Sequence, residues 1–232
     1  MNRLSWLLTC LLLCAPVFAA TPDSIHASYD IYMSGMKVGQ IEDNYDRSDG
    51  HYLLTSTTTP QGLLAVFRPE KIYLTSQGLV DKHGLRPVHF EDKREGRPDK
   101  SSVAEFDWAT HQLTVTRMTL SASLPLTEGT QDRLSAMYQF MFLNLGNATE
   151  LNFAMTNGSK LDDYHYLISP VQKIATPAGK FDARYLDSQG KPGESRTEIW
   201  LETKHNFPCK MIITDGKGDQ ITQILNTLTI LP

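Results

Sequence analysis

Along most of the chain apolar and polar residues alternate. In SIHASYDIYMS, Ile25, Ala27, Tyr29, Ile31 and Met33 take every second position, the pattern of a strand with one buried face. The same reading covers QIEDNYDRS, HYLLTSTTT, KIYLTSQG, RPVHFEDKRE, SSVAEFDW and QLTVTRM. After one interruption it resumes in ELNFAMTNG, DYHYLISP, VQKIATP, KFDARYLDS, RTEIWLET, CKMIITD and DQITQILNTLTIL. Asp49-Gly50, Gly96, Asn157-Gly158, Pro170, Pro177, Gly179, Gly190, Gly193, Gly216 and Gly218 stand between these runs, where turn chemistry is needed. Strands this close in sequence pair as a meander. Nothing alternates strand and helix as a parallel nucleotide-binding sheet would. LLAVF, after Pro60 and Gly62, is short enough for a helical turn or a buried edge segment.

The interruption is TEGTQDRLSAMYQFMFLNL. Leu134, Met137, Tyr138, Met141, Phe142 and Leu145 recur at spacings of three and four, which on a helix makes one apolar stripe. The pattern predicts a helix over 130–144, the only long one, with Thr130 as N-cap, Gln131 and Asp132 in the first turn and Gly146 as the stop. One face packs against the sheet. The fold class is therefore mainly β, a curved antiparallel sheet or partly open β-barrel with one main α-helix packed against it. Tyr29, Leu134, Tyr138, Met141, Phe142 and Trp200 are its candidate core or cavity residues. Asp132 is read as a structural anchor at the helix entrance, not as a catalytic acid.

Arg3, the run LSWLLTCLLLCAPVF and Ala19-Ala20 follow the order of a secretory leader. The apolar run is shorter than the roughly 20 residues that cross a bilayer. The expectation is a signal peptide over 1–19, cleaved between Ala19 and Thr21, and a single domain over 20–232 in the periplasm with no stable membrane span. Leu11-Leu12-Leu13 before Cys14 and Leu8-Thr9 before Cys10 argue against a lipid-modified cysteine. Loss of the leader leaves Cys209 alone, so no disulfide framework supports the fold. The formal charge is −4, and without Arg3 there are 21 basic against 26 acidic residues. An acidic chain whose one basic cluster, EDKREGRP, is mixed with acids has no general attraction to nucleic acid.

Chemistry-bearing spacings are sparse. None of the seven histidines belongs to an HExxH pair, and no cysteine pair offers a zinc knuckle. In DDYHYL, Asp163 and His165 share one strand face without a third ligand, leaving Tyr164 and Tyr166 to face inward. No G-x-S-x-G places a serine nucleophile, and Ser135 falls inside the helical pattern. Cys209 with His205 four residues earlier is the one local nucleophile–base pair. TDGKGDQ lacks phosphate-loop spacing and reads as a hairpin; TPAGKF is equally short. No catalytic, cofactor-binding or metal residue is assigned, and no cofactor is expected.

Five pieces in order along the chain carry a resemblance: YDIYMSGMKVGQ, SQGLVDKHGLRPVHF, LTEGTQDRLSAMYQF, ATPAGKFDARY and TEIWLETKHNFPCKM. Through Tyr29, Gly35, Gly39, Pro87, Gly129, Gln131, Asp132, Tyr138, Gly179, Trp200 and Pro208 the chain resembles the secreted bacterial family DUF3108, a domain of unknown function. The resemblance implies antiparallel β architecture and an envelope address, and supplies no activity. The architecture is also similar to open-barrel periplasmic carriers of hydrophobic cargo, a likeness of fold alone. The expectation is an exported protein that binds a hydrophobic or amphipathic envelope ligand, such as a lipid, between sheet and helix. One alternative is a structural or protein-interaction module meeting another envelope protein. The other is an enzyme whose residues converge from distant segments. A carrier calls for an apolar opening, an interaction module for a filled interior with a partner patch, and an enzyme for a cleft with a nucleophile or carboxylates.

Overall fold

A computed structural model describes residues 22–191 and 193–231. The leader expected over 1–19, with Cys10, Cys14 and its cleavage position, lies outside the described residues. The described chain forms β1 (Ser24–Met33), β2 (Met36–Ser48), β3 (His51–Pro60), α1 (Gly62–Phe67), β4 (Ile72–Asp81), β5 (Gly84–Arg94), β6 (Ser102–Asp107), β7 (Gln112–Arg117) and β8 (Leu120–Pro125). It continues with β9 (Gln131–Asp132), α2 (Ser135–Gln139), β10 (Glu150–Thr156), β11 (Leu161–Thr176), β12 (Gly179–Asp187), β13 (Arg196–Glu202), β14 (Pro208–Thr214) and β15 (Gln220–Leu231).

All the strands belong to one sheet in the order β8-β7-β6-β5-β4-β3-β2-β1-β15-β14-β13-β12-β11-β10-β9. Consecutive strands pair antiparallel from β1 through β8, and again from β10 through β15. The meander expected from the alternating pattern is thus two wings joined where β1 meets β15, Ser24 opposite Leu231 and Met33 opposite Ile221. β9 pairs parallel to β10 through two residues. β8 and β9 are the outer members, and the sheet does not close into a barrel.

DYHYLISP and VQKIATP, expected as two strands, are one. Pro170 sits inside β11, where the register against β12 slips between Ser169 and Gln172. Proline lacks an amide donor, and at a bulge none is required. LLAVF forms α1 and is not a buried edge: Leu63, Val66 and Phe67 are among the most exposed apolar side chains described.

The helix is shorter than the apolar stripe predicts. α2 spans Ser135–Gln139 and runs into a single 3₁₀ turn, Phe140–Phe142, after which Leu143 is extended. Gln131 and Asp132, expected in its first turn, form β9. The Thr130 hydroxyl turns back to the Thr127 carbonyl at 2.7 Å and caps nothing in α2. Asp132 supplies the competing local structure: its Oδ1 accepts the amides of Leu134 and Ser135, both at 2.8 Å. Short polar side chains that bond their own backbone divert a chain from helix in this way.

α2 and its 3₁₀ turn join two apolar clusters. Tyr138 stacks on Tyr45 with centroids 5.7 Å apart and meets Phe207 edge-on at 5.5 Å. Those rings belong to the larger cluster, with Ile25, Leu54, Phe90 and Leu113. Phe140, two residues on, is buried in the smaller one with Leu145, Tyr166, Leu186, Ile199 and Leu201. At about 1.5–3 kcal/mol for each large side chain buried, these rings tie the helix to both apolar clusters packed against the sheet.

Candidate functional site

Two polar side chains fix the helix entrance. Asp132 is fully enclosed; beyond the two amides on Oδ1, its Oδ2 accepts the Ser76 hydroxyl of β4 at 2.5 Å, and Ser76 in turn contacts the Tyr52 hydroxyl at 2.9 Å. Burial pushes the Asp132 carboxyl above its ordinary pKa, against the pull of these hydrogen bonds. The Ser135 hydroxyl accepts the Asp132 amide. Further along α2, Gln139 accepts the Leu85 amide at 2.7 Å and donates to the His83 carbonyl at 2.8 Å. Gly84 makes room for that side chain. Its φ is +109°, and a Cβ there would lie 2.3 Å from Gln139 Oε1.

Beside this anchor, a crevice of about 190 Å³ opens between the helical segment and β10. Ala136, Phe140 and Leu143 form one wall; Leu151 and Phe153 form the other. The walls are braced: Phe153 meets Phe140 edge-on at 6.2 Å and stacks on Tyr164 and Tyr166 of β11. Gln131 also lines the crevice. Its Nε2 is committed to the carbonyls of Leu85 at 2.8 Å and Gly129 at 3.4 Å, which orients the amide. Its Oε1 is left buried with no protein partner, in a residue only 2% exposed. A larger hollow of about 470 Å³ lies between the β1–β2 turn and the β14–β15 loop, among Tyr32, Ser34, Gly218, Gln220 and Thr222. It is the more polar of the two, and none of its lining side chains holds a buried atom without a partner.

The candidate core or cavity residues lie away from the crevice. Tyr29 is buried and donates its hydroxyl to the Pro208 carbonyl at 3.0 Å. Leu134 and Tyr138 are buried, and Met141, Phe142 and Trp200 pack half-buried against the larger cluster. Trp200 also tilts against Tyr185 at 4.8 Å, with Lys210 over its ring at 4.5 Å. Of the crevice residues, Gln131 was read only as part of the helix's first turn and of the resemblance, and Phe140, Leu143, Leu151 and Phe153 were not singled out by sequence reasoning. Leu151 and Phe153 were visible as the apolar beat of ELNFAMTNG, but no local spacing ties them to Gln131.

Cys209 is fully buried and donates to the Trp200 carbonyl at 3.2 Å; burial pushes its thiol up to about 12. A thiol so placed stays protonated and is a poor nucleophile at neutral pH. His205 faces Glu202 at 3.2 Å. His165 is exposed and bonds Asn152, while Tyr164 and Tyr166 turn inward and stack. A different carboxylate lies deep in the core: Asp43, whose Oδ2 lies 3.4 Å from the Tyr138 hydroxyl and whose Oδ1 has no protein partner. Burial raises it to about 6, with Ser56 and Tyr138 pulling it down. Among the described residues no cluster of three metal-ligating side chains occurs, and no helix is long and apolar enough to cross a membrane.

Residues 28–225 match the family model described as protein of unknown function DUF3108. Among solved structures, the chain is similar to a beta-barrel-like protein of the domain of unknown function DUF1849 from Brucella abortus. That alignment has 12% identity, covers 89% of this chain and 97% of the other, and has a TM-score of 0.58, a likeness of fold. A DUF1329 family protein from Desulfovibrio piger also aligns at 12% identity, over 91% of this chain and 87% of the other, with a TM-score of 0.24 that is too low to bear on the fold. No curated protein matches the chain.

Proposed function

The chain belongs to the DUF3108 family, and from its own site we propose a noncatalytic envelope binding protein whose crevice takes the apolar end of an amphipathic ligand. The observation that carries this reading is the Gln131 Oε1 atom, buried without a protein partner in a residue that lines a mainly apolar crevice. A buried acceptor left unpaired costs about 1–3 kcal/mol. A ligand bringing an N–H or O–H to it recovers that cost while burying its own apolar surface. The volume suits a ring or a chain end, because sites for whole drug-sized ligands run to roughly 300–1,000 Å³. The periplasmic address belongs to the same proposal and rests on the leader pattern of 1–19. A mature mass beginning at Ala20 or Thr21, in protein recovered from the envelope, tests it; a retained leader overturns it.

For the crevice, 4-methylphenol and toluene are the probes, followed by NMR. 4-Methylphenol is expected to shift the resonances of Ala136, Leu151 and Phe153 and to bind more tightly than toluene, which has no donor. Leu143→Trp fills the crevice from its half-buried rim and should abolish both effects. Binding of 4-methylphenol that ignores Leu143→Trp, or no shift at these residues, overturns the proposal.

A further inference from the structure

We propose that the ligand is an extended polypeptide segment, which adds as a strand to the free edge of β10 and lays one side chain into the crevice. This rests on the crevice being a binding site. It goes further by naming the class of partner and the backbone atoms that hold it.

β10 is half uncovered. Its hairpin to β11 is set by two backbone bonds, Asn157 N–H to the Lys160 carbonyl at one end and Ile168 N–H to the Thr149 carbonyl at the other. Between them the register runs from Glu150 opposite Leu167 to Thr156 opposite Leu161. In an antiparallel pair, alternate residues turn both backbone groups toward the partner or away from it. Counting from either closing bond, Leu151, Phe153 and Met155 bond β11, while Glu150, Asn152, Ala154 and Thr156 face outward. On that outer side β9 reaches only Met155 and Thr156, and the Arg133 amide takes the Thr156 carbonyl. Upstream of β9, Gly129, at φ +79°, lies in the turn closed by the Thr130 amide on the Thr127 carbonyl, and the chain leaves the edge. No described residue pairs with the outward groups of Glu150 and Asn152, and both residues are exposed.

A row of outward amides and carbonyls at strand spacing is complementary to another strand and to little else. The chain itself already uses this edge for β9, so strand geometry fits there. The crevice lies beside the uncovered part, with Leu151 and Phe153 on its wall and the Asn152 side chain turned to His165. Side chains of an added strand alternate in the same way: one enters the crevice, and its neighbours stay in water. A Tyr or Trp at that position joins an apolar ring to a donor tip, which meets both the braced walls and Gln131 Oε1. The opposite edge, β8, ends in Pro125 and borders neither hollow.

The test uses a synthetic peptide of alternating Thr and Val with one central Tyr, and two N-methylated versions, each blocking the amides of one strand edge. Binding is read by calorimetry and by amide hydrogen exchange of the full chain. The parent peptide is expected to slow exchange at Glu150 and Asn152. One of the two N-methylated versions should bind at least tenfold more weakly. Glu150→Pro should weaken the parent peptide at least tenfold yet leave 4-methylphenol binding unchanged, because the amide it removes faces away from β11 and Glu150 does not line the crevice. Equal binding of all three peptides to the unaltered chain overturns the strand proposal, whatever the proline variant does. Binding of 4-methylphenol without the peptide overturns it and leaves the crevice reading standing; failure of both overturns both.

Discussion

Ser76 donates its hydroxyl to Asp132 Oδ2 at 2.5 Å, across 56 residues of chain and inside a fully enclosed site. That bond ties the β4 side of the sheet to the entrance of the helix that packs against it. Asp132→Ala strips the acceptor from the Leu134 and Ser135 amides and from Ser76, and is expected to cost about 3 kcal/mol, more than an ordinary cap loss of about 1. Asp132→Asn keeps Oδ1 and should cost about 1 kcal/mol. A double-mutant cycle with Ser76→Ala, followed by urea unfolding, should give a coupling of about 1 kcal/mol or more. Strict additivity would show that the two side chains act independently.

Asp43 makes stability fall as pH rises. Its carboxyl ionises near 3.8 unfolded and at about 6 folded, so below about pH 4 both states hold the proton. Above that the unfolded chain releases it first, and folding loses stability until the folded state also ionises. The loss is about 3 kcal/mol, complete a little above pH 6, and Asp132, shifted in the same direction, adds to it. Asp43→Asn should flatten the profile and raise stability at pH 8, measured by urea midpoints from pH 4 to 8. A stability that rises over that range in the unaltered protein would contradict the assignment.

Gly84→Ala should be costly for two reasons that can be separated. The residue sits at φ +109°, and its new Cβ would strike the Gln139 amide. The expected loss is about 2 kcal/mol or more. Shortening Gln139 to Ala in the same chain removes the collision and leaves the backbone strain, so part of the loss should persist. A thermal midpoint unchanged by Gly84→Ala would argue against both.

The apolar face of α1 takes no part in the core. Phe67 is 79% exposed, and Phe67→Ser should change unfolding free energy by no more than about 0.5 kcal/mol. Tyr138→Ala, at 1% exposure, should cost about 3–5 kcal/mol. Equal effects would show that α1 is packed in solution.

Alternation and turn residues made the meander legible, because a half-buried antiparallel strand writes its geometry into every second residue. The helix was legible in kind and not in extent. Leu134, Tyr138 and Phe142 satisfy a helical stripe whether or not the first residues are helical; the competing acceptor was Asp132, whose bonds to its own backbone periodicity does not register. Pro170 misled in the opposite sense, since a proline at a bulge looks in sequence like the end of a strand. The crevice was illegible for a topological reason. Gln131 and Phe153 become neighbours only through the pairing of β9 with β10, and a parallel contact of two residues leaves no pattern of its own.

The join between β1 and β15 has a consequence for the order in which the sheet is made. Each wing is built from hairpins of nearby residues, which close quickly, whereas Ser28 and Thr227, bonded at 2.7 Å, are 199 positions apart. Closing so long a loop delays the contact that rewards it. On a growing chain β1 is synthesised early and keeps one side bare until β15 arrives, long after its own wing has formed. Before completion, then, the strand most open to pairing with a wrong partner lies at what will become the middle of the sheet.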